Sequence, residues 1–170
     1  MAWALPRHRH NSGMKNKTAA VWITFLGGPL GLHRIYLKGR MDAIGWLLPI
    51  PTLLGTYGVL RARDIGVDDT LSWLLIPLLG FTLAGCALNA IVYGLMDTEK
   101  WNRLFNPTAA VDAPAGQSSW GTIIGLATAL LLGTTVLMST IAFSFQRYFE
   151  IRQEEAAMQM QPGGTKKSGD

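Results

Sequence analysis

"LSWLLIPLLGFTLAGCALNAIVYGLM", Leu71 to Met96, contains no aspartate, glutamate, histidine, lysine or arginine. A helix gains about 1.5 Å per residue, and the hydrocarbon core of a bilayer is ~30 Å thick, so about 20 apolar residues suffice to cross it. This run exceeds that length. Ser118 to Gln146 is a second uncharged run and exceeds it too. The bulk composition agrees: 49% of the 170 residues are hydrophobic, 15% are charged, and the mean hydropathy is +0.22. The fold class these features predict is all-α, an integral membrane protein.

Two further apolar segments lie N-terminal to these runs, Thr18 to about Leu32 and Ala43 to Leu60. The first is short for a span, but Lys15, Lys17 and Arg34 at its ends can snorkel to the interface and extend it. The second contains Pro49 and Pro51, whose missing N–H groups predict a kink or break near "LPIPT". Counting all four gives a bundle of four transmembrane helices. The expected divisions are a basic disordered tail over 1–14, a two-helix hairpin over 15–66, the third and fourth membrane helices over 67–150, and a helical extension with a disordered tail over 151–170. Near 96–119, "MDTEKWNRLF" sets Trp101, Leu104 and Phe105 on one face of an interfacial helix, and a Pro-, Ala-, Gly- and Ser-rich loop follows. Asp69 or Thr70 is the expected cap of the third span. Met14 is the expected natural start.

Lysine and arginine orient a membrane protein, because loops rich in them stay in the cytoplasm. Four spans with the N-terminus inside place ten basic residues inside and five outside. That predicts both termini in the cytoplasm. A first segment that merely dips into the membrane leaves three spans and a weaker split of nine to six.

"LGGPLGLHRIYLKGR", Leu26 to Arg40, is less generic. Its apolar run is interrupted by glycines and Pro29 and ends in His33, Arg34, Tyr36, Lys38 and Arg40. Lys15 to Gly66 resembles the TM2 domain family, in which lysines precede an apolar run, a glycine-rich "LGG.G" and a loop like "(D/H)RFYLG". The matching residues are Leu26, Gly27, Gly28, Gly31, His33, Arg34, Tyr36, Leu37 and Gly39. Ile35 stands where phenylalanine is usual, and Lys38 is inserted before the glycine. His33 makes the pattern similar to that of bacterial members. The resemblance implies two membrane helices joined by a tight loop, a bacterial cytoplasmic membrane location, and little chemistry.

On physical grounds the five mouth residues form a candidate loop for a lipid or partner. The Arg34 guanidinium suits phosphate and the Tyr36 ring suits the headgroup region. Packing candidates are the Gly27–Gly31 pair and the stripe Gly121, Gly125, Ala129 and Gly133, since small residues let helices approach closely in lipid. Asn89, an amide deep in the third span, is expected to bond across to another helix.

Other chemistry is thinly represented. His8 and His10 lack a third ligand, so no metal site is expected. The Asp64, Asp68 and Asp69 group lacks the alternating ligands and turn glycine of a calcium loop. No Ser–His or Ser–Lys pair sits at membrane depth, and no cofactor is expected. Basic residues flank spans, which fits membrane orientation and not nucleic-acid binding. The expected function is therefore a non-enzymatic accessory, assembly or scaffolding subunit that binds membrane lipid, another membrane protein or itself. The alternative is a small oligomeric channel or carrier for an uncharged solute.

Overall fold

The computed structural model describes residues 13–40, 42–66 and 69–160. The expectations for residues 1–12 (including His8 and His10), for Asp68 and for residues 161–170 fall outside them. The described residues form α1 (Lys17–Gly27), α2 (Leu32–Lys38), α3 (Ala43–Leu47), α4 (Pro49–Ile65), α5 (Thr70–Leu95), α6 (Thr98–Phe105) and α7 (Trp120–Met160), with short 3-10 turns at Gly28–Leu30 and Pro114–Gly116.

Local chemistry sets these boundaries. Asn16 caps α1, Asp42 caps α3 and Asp69 caps α5, each side chain accepting a bond from a free backbone N–H at the helix start. The second apolar segment breaks at Leu48, and Pro49 opens α4, where its missing donor costs nothing. Asp69 also pairs with Arg61 at 2.7 Å, closing the short connection between α4 and α5.

Three helical stretches are long and apolar enough to cross a membrane: Ala43–Ile65 (α3 with α4), α5, and α7 within Pro114–Met160. The first apolar segment is not among them. Helix α1 has 11 residues and reaches only about 16 Å. Of the four expected spans, three thus have helices of sufficient length and apolarity among the described residues, and the first segment forms a short helical hairpin.

Helix α5 is the centre, packing against α1, α4 and α7. We call its Leu95 end the upper end. Helix α1 starts there, with the Lys17 ammonium donating to the Met96 carbonyl at 2.5 Å and to Ser118 Oγ at 3.1 Å. It runs down beside α5 until Gly28 touches Cys86. Met96 to Cys86 is about 15 Å along α5. There the 3-10 turn reverses the chain, and α2 climbs back beside α1. The Lys15 ammonium donates to the Leu37 carbonyl, and the Asn16 N–H donates to Tyr36 Oη at 2.8 Å. Both feet of the hairpin thus stand at the upper end. Its tip is held at depth by Thr52, whose hydroxyl donates to the Pro29 carbonyl at 2.9 Å. The resulting element is a hairpin that returns to the end it started from, and its irregular backbone at the turn is covered by protein: Gly28, Pro29 and Gly31 are buried.

The small-residue stripe of α7 packs within the chain. Gly121 faces Thr18, Gly125 faces Val21 and Trp22, and Gly133 faces Ala87. Ala129 is fully buried with Val21, Ala87 and Ala90. Helix α7 runs on without a break to Met160. Its 41 residues extend about 60 Å, so its last turns project beyond the bundle. Arg147, Glu150 and Glu154 stand beside Thr70 and Trp73 at the lower end. The first and last described residues thus lie at opposite ends of the bundle, whereas four spans would have put them at the same end.

Candidate functional site

Two places combine polar chemistry with membrane position: the upper cap and the outer face of α5.

At the cap, the five mouth residues do not form a loop. His33, Arg34, Tyr36 and Lys38 sit on α2, and Arg40 follows its αL cap, Gly39. They are also largely committed to one another or to the chain. Arg34 Nη1 and Lys38 Nζ each lie 2.6 Å from Asp42 Oδ2. Asp42 Oδ1 accepts from Gly45 N–H at 2.9 Å. Tyr36 is bonded to both backbone groups of Asn16. His33 is 3% exposed, and its Nδ1 has no partner among the described residues; neither has Arg34 Nε. Arg40 is exposed. The arrangement fastens the foot of the hairpin to the start of α3, leaving Arg40 and part of Lys38 to face outward.

This clasp has a pH signature. The Lys38 ammonium, with help from the Gly45 N–H and the Arg34 guanidinium, holds the Asp42 carboxyl well below the usual carboxylate range. A group whose pKa is depressed on folding stabilises above its unfolded value, about 3.9 for aspartate, and loses that contribution as pH falls toward its folded value. The melting temperature in detergent should therefore drop between pH 5 and pH 3, and drop less in Asp42→Asn. Asp69, also held low by its partners, contributes equally to both proteins and cancels. Parallel curves for the two would remove the clasp as a stabilising element.

The cap is completed by Trp101 and Phe105 of the expected interfacial helix and by two amides the sequence did not single out, Asn102 and Asn106. Trp101, expected on one face of an interfacial helix, is fully buried. Its indole donates to the Lys15 carbonyl at 2.9 Å, and its ring lies 4.5 Å from Phe105 and 6.3 Å from Tyr93. Asn102 donates to the carbonyls of Val111 and Ala113, and Asn106 donates to Asn102 Oδ1 and to the Lys15 carbonyl. These two buried amides fix the connection between α6 and α7, which the composition predicts to be flexible. Their spacing of four, one on α6 and the other at its C-cap, was the available signal.

The packing candidates on the hairpin behave differently from expectation. Gly27 ends α1, and Gly31 lies beyond the 3-10 turn with φ 76°. They share no continuous helix face. Gly27 faces Leu32 of its own hairpin, while Gly31 lies against the backbone of Gly45.

Asn89 also departs from expectation. It makes no bond across to another helix among the described residues. Its Nδ2 donates at 2.9 Å to the Gly85 carbonyl of its own helix, and the side chain is exposed on the outer face of α5. Beside it, α5 and α7 enclose an apolar groove of about 260 Å³, lined by Phe81, Ala84, Gly85 and Leu88 on one wall and Leu130, Gly133 and Leu137 on the other. A side chain built at Gly85 meets no atom within 4 Å. The outer face thus offers an open approach to backbone, flanked by an amide.

Family models, curated proteins and solved structures offer no match to this chain.

Proposed function

We propose that this chain is a non-enzymatic subunit of a cellular membrane, acting in accessory, assembly or scaffolding work by receiving another transmembrane helix in the α5–α7 groove. The observation that carries this reading is Asn89. An amide facing hydrocarbon is costly, and its usual relief is a bond to a neighbouring helix. Here it stands beside a groove whose glycine leaves room for one. The likeness of residues 15–66 to the TM2 family belongs to the same proposal, with the re-entrant hairpin and the α3–α4 span in place of two spanning helices, and so does residence in a bacterial cytoplasmic membrane. The channel alternative gains less support. At the break at Leu48 the Thr52 hydroxyl lies within hydrogen-bond distance of the Pro29 and Leu48 carbonyls, so the polar groups that such a pathway would use are tied to one another within the chain.

Filling the groove tests the reading. Ala84→Phe places a large ring between α5 and α7. Affinity purification from native membranes in mild detergent should recover a membrane partner or a multimer with the wild-type chain, and at least several-fold less with Ala84→Phe at matched insertion and melting temperature. Equal recovery from both proteins would sink the groove as a docking surface.

A further inference from the structure

We infer that the helix received in the groove is α5 of a second copy of this chain, related by a two-fold axis along the membrane normal that sets Asn89 against Asn89. This rests on the binding role proposed above and names the partner.

Depth makes the first argument. Asn89 lies about 10 Å from the midpoint of α5, inside the ~30 Å hydrocarbon layer. One N–H of its amide is used by Gly85, while Oδ1 has no partner among the described residues. A lipid tail fills an apolar groove but offers no donor. An unrelated helix needs its own polar group at this level. A second copy has one at the same depth without further requirement, because both copies insert in the same orientation.

Complementarity makes the second. An amide carries both a donor and an acceptor, so two amides across a two-fold axis bond reciprocally, each N–H to the other's oxygen. Most side chains do not match themselves in this way.

Steric access makes the third. Gly85 lies one turn below Asn89 on the same face, with open space over it. Two α5 helices can therefore approach closely at that turn, where dispersion contacts must stand in for the absent hydrophobic drive. Phe81, Leu88 and Val92 are exposed around it and supply the apolar rim.

The experiment uses the full chain with Cys86→Ala, reconstituted in phosphatidylethanolamine–phosphatidylglycerol vesicles at low protein-to-lipid ratio. Val92→Cys reports on the axis, and Val59→Cys on α4 is the control. Oxidation should give a species of twice the mass from Val92→Cys and none from Val59→Cys. Adding Asn89→Leu should weaken dimerisation on the order of tenfold, the size of one to two kcal/mol of interhelical bonding. Gly85→Leu should do at least as much while leaving the monomer's melting temperature unchanged, since its side chain enters open space. Failure of Val92→Cys to cross-link, or cross-linking unaffected by Asn89→Leu, would overturn the inference. A Val92→Cys chain that stays monomeric in vesicles but cross-links to a protein of different mass in native membranes would overturn it and leave the broader binding role standing. No cross-link in either setting would remove both.

Discussion

Gly31→Ala should cost the protein about 2–5 kcal/mol, whereas Gly39→Ala should cost only about 1–2 kcal/mol. Both glycines have positive φ, 76° and 71°. An L-residue in that left-handed region carries a penalty of roughly 1–2 kcal/mol. The two sites share this term and differ in space. A side chain at Gly39 meets nothing within 4 Å, while one at Gly31 collides with the Gly45 carbonyl at the start of the first spanning helix. Overpacking of that kind adds about 1–3 kcal/mol, because the obstacle is backbone and cannot rotate away. Gly31 is where the hairpin turns from its tip into α2, so displacement there also pulls on the Thr52–Pro29 bond and the Arg34–Asp42 pair. Unfolding in mixed micelles, followed by tryptophan fluorescence, measures both variants. Equal losses would mean that the hairpin tip is not pressed against α3.

What the sequence disclosed follows from what each feature depends on. The runs 71–96 and 118–146 were legible because transfer into lipid depends on composition, and a long uncharged run has few other outcomes. The break at "LPIPT" and the Asp69 cap were legible because both follow from local backbone chemistry. The hairpin was not legible. Fifteen apolar residues between basic ends fit a short snorkelled span and a half-depth excursion equally well. The deciding contacts, Gly28 on Cys86, Gly31 on Gly45 and Pro29 on Thr52, join residues far apart in the chain. Asn89 shows the same limit. The pattern says that an amide in lipid wants a partner, but only the packing shows that it faces outward and partly satisfies itself through Gly85. The Asp42 clasp was half visible. Lys38 and Asp42 are four apart, yet Asp42 read as the margin of a span and was not considered as their shared counter-ion.

The hairpin has a consequence for topology that labelling resolves completely. With three spans, residues 13 and 110 lie on one side of the membrane and residue 155 on the other. With four, residues 13 and 155 share a side and residue 110 is alone. Gly13, Ala110 and Glu155 are all exposed, so cysteines there are reachable in a Cys86→Ala chain. Nine lysines and arginines fall on the upper side of the three-span arrangement and six on the lower, so the upper side should be cytoplasmic. An impermeant maleimide added to intact cells should therefore modify Glu155→Cys and spare Gly13→Cys and Ala110→Cys until the membrane is permeabilised. The two spared positions carry the test of the hairpin, because α1 and α2 are the elements whose path differs between the alternatives. Protection of one with labelling of the other would require α1 to cross the bilayer, which 11 helical residues reach only by thinning it severely. Labelling of both with protection of Glu155→Cys would preserve the hairpin and reverse the orientation. In that case the buried Lys17, bonded to Met96 and Ser118, and Arg34 and Lys38, clasped to Asp42, would have to be discounted as orienting charges, since a cation already committed within the fold has less attraction left for the cytoplasmic leaflet.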